Sequence, residues 1–191
     1  LCVSWSRKGA WIVSPWGRGE LVSPVLGELD GFDLLAALGA LLAGDVPLAD
    51  ALAVLGKLRP AAGRMQRVDG PAGGPTVIVD FAHTPDALEK VLAALKPLTP
   101  GRLTCVFGCG GGRDTGKRPL MGAAVAAGAD AAIVTSDNPR NEEPSHIVAG
   151  ILEGMPAGQR VVLDRRAAIR AAILEAGPED IVVLAGKGHE D

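Results

Sequence analysis

The chain has 191 residues, 48% hydrophobic and 21% charged, with a formal net charge of −3 at pH 7, enough apolar material for one or two domains with buried cores. Its 19 basic residues are scattered along the sequence, so the electrostatic footprint of a nucleic-acid binder is missing. The longest helix-like apolar stretch, residues 34–43, is too short to cross a bilayer, and no signal-peptide pattern opens the chain, so a soluble, cytoplasmic protein is expected.

Residues 1–26 alternate apolar and polar groups around Trp5, Trp11 and Trp16, with Pro15-Trp16-Gly17 as a turn. That pattern predicts two or three short strands, ending a sheet begun upstream. Residues 32–42 and 48–58 carry Leu and Ala at helical spacing and are closed by Gly44 and Pro60, which predicts a helical pair. The glycine-rich stretch 69–75 reads as the boundary between two parts. From Thr76 onward strands alternate with helices. Strands are predicted at 76–79, 103–107, 131–135, 160–163 and 180–185, and helices at 85–96, 119–127, 144–155 and 167–175. The alternation implies right-handed crossovers and an α/β fold with a mostly parallel, Rossmann-like sheet flanked by helices. Thr84-Pro85 supplies a cap before a proline at the first helical position, Pro119 and Pro144 fit that position too, and Pro97 stops the first of these helices.

Four polar or glycine-rich segments follow predicted strands: 80–86, 108–113, 135–140 and 186–191. Loops after parallel strands gather at one edge of an open sheet, so the four are expected to line one crevice. The most informative is Thr135-Ser136-Asp137-Asn138-Pro139-Arg140, which places an acid, an amide and a guanidinium just past a β-branched segment. Proline makes such a loop rigid, and Arg140 would grip a carboxylate with two parallel bonds; a plain Asn-Pro turn is the other reading.

Residues 111–117, from Gly111 to Lys117, have the spacing of a phosphate-binding loop, but Arg118 follows where Ser or Thr should hold Mg²⁺, which discounts the match. Gly108-Cys109-Gly110 leaves a dinucleotide fingerprint incomplete, because Arg113 takes the place of the third glycine. Two readings remain for this segment: a flexible surface loop, or backbone N–H groups and Arg113 holding a carboxylate or phosphate. His83 lies between Asp80 and Asp86 with no Ser or Cys nucleophile nearby in sequence, so it is an oriented imidazole or a satisfied structural histidine. Gly186-Lys187-Gly188-His189-Glu190 combines glycines for close approach with titratable groups, or is a solvated loop. Cys2, Cys105 and Cys109 are odd in number, show no paired spacing and lack partner ligands, so they read as reduced thiols with no metal site.

Together, Val79-Asp80-Phe81-Ala82-His83-Thr84-Pro85-Asp86, the loop Phe107-Gly108-Cys109-Gly110-Gly111 with Arg113-Asp114, Asp137-Asn138-Pro139-Arg140 and Gly186-Lys187-Gly188-His189-Glu190 closely resemble the Mur ligase family, in order and with family-like spacing. Within the family they look most like members that add meso-diaminopimelate. The resemblance implies that residues 1–62 end a central ATP-binding domain and that residues 63–191 are a C-terminal domain truncated at its end. The chain would then be a fragment, with the true P-loop and the carbamylated lysine that helps hold Mg²⁺ lying upstream.

By the same resemblance, the enzyme is an ATP-dependent ligase of peptidoglycan synthesis. ATP phosphorylates the D-glutamate carboxylate of the UDP-N-acetylmuramoyl dipeptide, and the amino group of meso-diaminopimelate attacks. ATP and Mg²⁺ would be bound mainly by the missing upstream region. Arg113, Asp137, Asn138, Pro139 and Arg140 would bind meso-diaminopimelate, while Gly186 and Glu190 hold its far amino-acid head. Arg64, Asp80 and His83 match positions near the nucleotide. Asp30 and Asp33 stand where the family usually has amides facing it. No catalytic residue and no metal ligand is assigned. The chain alone is expected to be inactive, monomeric, and without nucleic acid or membrane as partner. A lysine-adding relative and a non-catalytic amino-acid-binding module are the alternatives.

Overall fold

The computed structural model describes residues 2–6, 9–22, 28–59, 61–68, 70–112 and 114–188, in two compact units, Leu1–Ala61 and Ala62–Asp191. In the first unit, β1 (Cys2–Ser6), β2 (Gly9–Ser14) and β3 (Gly17–Val22) form an antiparallel meander, followed by helices α1 (Glu28–Ala43) and α2 (Leu48–Leu55). Alternation along the strands turns Ala10, Ile12 and Leu21 inward, where they meet Leu34, Leu38 and Leu42 of α1 and Ala51, Leu52 and Leu55 of α2. Trp11 therefore points outward and is half exposed. The first helix begins at Glu28 rather than at residue 32, because the acidic residues that precede Phe32 suit the positive end of a helix. Asp30 and Asp33 are accordingly inside the helix. Pro60, the expected breaker, lies outside the described residues.

The second unit carries, in chain order, β4 (Gln66–Val68), β5 (Thr76–Asp80), α3 (Pro85–Leu95), a 3₁₀ turn (Lys96–Leu98), β6 (Leu103–Phe107), α4 (Lys117–Gly128), β7 (Ala131–Val134), α5 (Pro144–Leu152), β8 (Arg160–Val161), α6 (Arg165–Glu175) and β9 (Ile181–Ala185). The sheet order is β4-β5-β9-β6-β7-β8. Only β4 is antiparallel to its neighbour; every other pair is parallel. β4 is absent from the expectation because three residues are too few to show an alternation, and residues 70–75 join β4 to β5 within this unit.

Helix starts follow local chemistry. Thr84 Oγ1 accepts from Ala87 N at 3.3 Å and Asp164 Oδ1 accepts from Ala167 N at 2.8 Å, which caps α3 and α6. The Asp164 cap starts α6 at Arg165, ahead of the expected 167. Pro85 and Pro144 occupy the first helical position, but Pro119 does not. α4 begins at Lys117, so Pro119 is its third residue, still within the first turn where a missing N–H costs nothing.

The crossovers through α3, α4 and α5 step one way across the sheet, from β5 to β8, whereas α6 leads back from β8 to β9. Right-handed crossovers then place α3, α4 and α5 on one face and α6 on the other. The packing agrees: Ala168 and Ala172 of α6 meet Val106, Ile133 and Val182. Phe107, Cys105 and Val183, which alternation turns to the opposite face, are fully buried with Leu88, Leu92, Val125 and Ile151 of the other three helices. Because the chain leaves β7 toward one face and β8 toward the other, a crevice opens between their loops.

Candidate functional site

The loops after β6 and β7 interlock through their backbones. A Cβ on Gly108 would stand 2.3 Å from the Thr135 carbonyl oxygen, and one on Gly111 would stand 2.0 Å from that of Pro139, so the close approach needs glycine at both places. Gly111 N donates to the Asn138 carbonyl at 2.8 Å, and Arg140 Nη1 donates to the Gly111 carbonyl at 3.1 Å. Arg140 has φ 52°, the left-handed conformation that lets the loop turn. Two residues on, Glu142 Oε1 accepts from Gly112 N at 2.5 Å, and its carboxylate takes Arg118 Nη2 at 2.9 and 2.8 Å. Arg118, at the place of the hydroxyl in a phosphate-binding loop, is thus a buried ion-pair partner, 6% exposed. Segment 111–118 does not fit the magnesium-holding part of such a loop.

The loops after β5 and β9 meet at Asp80. Its side chain is 8% exposed; Oδ2 accepts from Met65 N and Oδ1 from Ala82 N, both at 2.8 Å, and its carbonyl accepts from Gly186 N at 3.0 Å. Asp80 therefore ties the approach to β4, the end of β5 and the end of β9. Neither acid flanking His83 orients it: Asp86 pairs with Lys90, while the ring Nδ1 lies 2.9 Å from the Phe81 carbonyl, which only an Nδ1–H satisfies. The Phe81 ring stands 4.7 Å from that of His83 and carries the Arg64 guanidinium 5.7 Å from its centroid, within cation–π reach. Lys117 Nζ donates to the His83 carbonyl at 3.0 Å and links this corner to α4.

At the middle of the edge, Gly186 has φ 113°, and a Cβ there would stand 2.9 Å from Asp137 Oδ2. Arg165, the first residue of α6, donates from Nη2 to the Ala185 carbonyl at 2.7 Å. Burial pulls the Arg165 pKa down, opposed by the charge of Asp137. A cleft of about 470 Å³ opens here, lined among others by Ser136, Asp137, Leu163, Arg165, Arg166 and Lys187. An acid facing several cations suits a zwitterionic amino acid, whose ammonium and carboxylate need opposite partners within one small space.

Arg165 and Arg166 are not among the residues singled out from sequence. Their signal is the capping Asp164 at the close of a strand, which makes this a fifth strand-end loop. Of those singled out, Asp80, His83, Asp137, Asn138, Pro139, Arg140 and Gly186 come together along the carboxyl edge of the second unit, with Arg64 on Phe81. Arg113, His189, Glu190 and Asp191 lie outside the described residues; Arg113 directly follows Gly112. Asp30 and Asp33 belong to α1 of the first unit, where Asp33 is exposed. Among the described residues no cluster of His, Cys, Asp or Glu could hold a metal ion. The three thiols are free; burial pushes Cys105 up to about 12 and Cys109 to about 11, so both stay protonated.

A family model described as the Mur ligase, glutamate ligase domain matches residues 63–188. The chain belongs to the Mur ligase family. It is 52% identical over 186 residues to UDP-N-acetylmuramoyl-L-alanyl-D-glutamate–2,6-diaminopimelate ligase of Parasynechococcus marenigrum (strain WH8102), an alignment covering 94% of this chain and 37% of that protein. To the ligase of the same name from Neisseria meningitidis serogroup A it is 52% identical over 180 residues, covering 93% and 36%. A solved structure of a ligase with this name superposes with a TM-score of 0.77 at 43% identity, covering 99% of this chain and 39% of that one. The chain thus spans well under half the length of the Mur ligases it matches, and the strand-end loops that interlock here fall within the matched domain.

Proposed function

We propose that this chain carries the amino-acid-binding part of an ATP-dependent ligase that adds meso-diaminopimelate to UDP-N-acetylmuramoyl-L-alanyl-D-glutamate in peptidoglycan synthesis. The observation that carries the reading is the rigid loop Asp137 to Arg140, which sets an acid against Gly186 and an arginine against the Gly111 carbonyl. An amino acid with two ammonium and two carboxylate groups matches that alternation of charge. Arg113, Asp137, Asn138, Pro139 and Arg140 bind it, and Gly186 and Glu190 hold its far head. Lysine has no second carboxylate, and a desolvated arginine left without its partner disfavours it.

In the ligation, the amine nitrogen bonds to the carbonyl carbon of an acyl phosphate, the bond to the phosphate oxygen breaks, and the amine sheds a proton. This chain's part is to deliver that amine in line. Residues 1–62 are read as the end of the central ATP-binding domain and 63–191 as the C-terminal domain. Segment 111–118 and the described acids do not fit a magnesium site, so ATP and Mg²⁺ are assigned mainly to residues outside this chain. Arg64 and His83 are assigned to the neighbourhood of the nucleotide, while Asp80 acts through the backbone it holds. The ligase works as a monomer in the cytoplasm. No described helix is long and apolar enough to cross a membrane.

The test is calorimetric titration of the chain with meso-diaminopimelate and, separately, with L-lysine. Heat with meso-diaminopimelate alone is expected. Preference for lysine would move the chain to a lysine-adding class, and silence for both would overturn the claim that these loops form the site by themselves.

A further inference from the structure

The ion pair between Arg118 and Glu142 has no part in the reading above, yet three elements converge on it. Glu142 follows the β7 loop, Arg118 opens α4, and Gly112 lies in the β6 loop immediately before Arg113. Glu142 Oε1 receives both Gly112 N at 2.5 Å and Arg118 Nη2 at 2.9 Å, and Oε2 receives Arg118 Nη2 at 2.8 Å. Arg118 is itself immobilised: its side chain is 7% exposed, and its Cδ lies 3.2 Å from where a Cβ on Gly150 would sit, so α5 pins the stem. Glu142 N also donates to the Pro139 carbonyl at 3.0 Å, which closes the turn through Arg140.

We infer that Glu142, steadied by Arg118, is a positioning residue for the amino-acid site: its carboxylate sets the spacing between the backbone leading into Arg113 and the turn that carries Asn138 and Arg140. This rests on the proposed function and deepens it. Gly112 has φ 65°, where its N–H belongs to no strand or helix ladder, and a charged acceptor is the strongest single partner for such a donor. Without it the two loops lose their bond at Gly112, next to Arg113, and keep those at Gly111. The carboxylate also compensates Arg118, whose charge would otherwise be buried alone. One guanidinium nitrogen bonded to both carboxylate oxygens and a backbone N–H bonded to one of them leave the carboxylate little freedom, so the spacing of the two loops is built in before any ligand arrives.

The experiment compares the chain with Glu142→Gln, Arg118→Lys and, as a control, Glu175→Gln, which breaks the exposed pair with Arg160 far from the loops. Each is titrated calorimetrically with meso-diaminopimelate and with L-lysine, alongside thermal unfolding and amide exchange at Gly112. Glu142→Gln is expected to weaken meso-diaminopimelate binding about tenfold, the scale of one charged hydrogen bond, to narrow its margin over lysine, and to speed Gly112 exchange in a chain that still folds. Arg118→Lys should fall between, and Glu175→Gln should match the unsubstituted chain. Equal affinity for Glu142→Gln and the unsubstituted chain overturns this inference alone. Should Glu142→Gln fail to fold, Arg118→Lys decides by the same comparison. Silence of the unsubstituted chain overturns the claim that these loops form the site by themselves, and this inference with it.

Discussion

Asp137 and Gly186 share one place at the sheet edge: Oδ2 of the carboxylate stands 2.9 Å from where a Cβ on residue 186 would be, and the glycine has φ 113°. Alanine at 186 would meet both obstacles, an unfavourable backbone conformation and a displaced carboxylate. Gly186→Ala is expected to destabilise the second unit by about 1–3 kcal/mol, the usual cost of such a conformation in a non-glycine residue, and to weaken meso-diaminopimelate binding beyond the loss of folded protein. Denaturant titration and calorimetry on one sample separate the two effects. Unchanged stability would remove the steric argument.

Arg140→Ala is expected to weaken meso-diaminopimelate binding by about tenfold or more, the scale of a lost bidentate carboxylate contact, and to leave lysine binding nearly unaffected. The turn supports this because Pro139 and the bond to the Gly111 carbonyl orient the guanidinium in advance. Equal losses for both amino acids would refute the specificity role.

Asp80→Asn keeps the shape but turns an acceptor of two backbone N–H groups into a group with one acceptor and two donors. One of Met65 N and Ala82 N must then face an amide donor in a buried position. A loss of about 2 kcal/mol or more is expected, since a charge-assisted bond is broken and a donor is left unsatisfied. Urea unfolding measures it, and a loss below experimental scatter would show that the junction of β4, β5 and β9 is held elsewhere.

Acid stability should depend on two aspartates at the opposite edge of the sheet, Asp130 exposed and Asp180 half-buried. Asp130 sits below the usual carboxylate range because Lys96 and the Leu103 N–H bond to it. Asp180 is lowered by the N–H groups of Arg102 and Gly177. A carboxylate with a depressed folded pKa contributes stability above its unfolded pKa, near 3.9, and loses it as pH falls through the folded value. The melting temperature should therefore hold down to about pH 4 and fall below it. Asp180→Asn should flatten that fall, and because Lys96 and Asp130 are both exposed, the part owed to Lys96 should shrink in high salt. An unchanged acid profile in Asp180→Asn would remove this account.

Residues 1–191 should show no magnesium-dependent ATP hydrolysis, because the arginine at the hydroxyl position of segment 111–118 is committed to Glu142. A phosphate-release signal abolished by Lys117→Ala would contradict this.

The alternation of strand and helix is legible in the sequence because β5, β6, β7 and β9 are apolar runs bounded by turn residues, and Pro85 and Pro144 mark helix starts. The order of the strands is not, since nothing local in residues 181–185 says that they enter between β5 and β6. The strand-end loops are legible from their polar and glycine residues, but the partners within them are not. Asp80 reads as an acid flanking His83, yet its carboxylate is claimed by backbone donors, Ala82 N nearby and Met65 N fifteen residues before it. Arg118 reads as a defect in a phosphate loop, when its function is set by Glu142, which lies in another loop altogether. Arg165 is hidden by a helix pattern in which an arginine is an ordinary solvated residue.

The position of β9 has a consequence for synthesis. Among the described strands, β5 has β9 as its parallel neighbour, and β9 stands between β5 and β6. As the chain leaves the ribosome, β6 and β7 can pair early through α4, whereas β5 keeps an unpaired edge until residues 181–185 emerge. A nascent chain halted before that point exposes two apolar strand edges of the kind that recruit other chains. Of the described strands, the one made latest joins the two halves of the sheet.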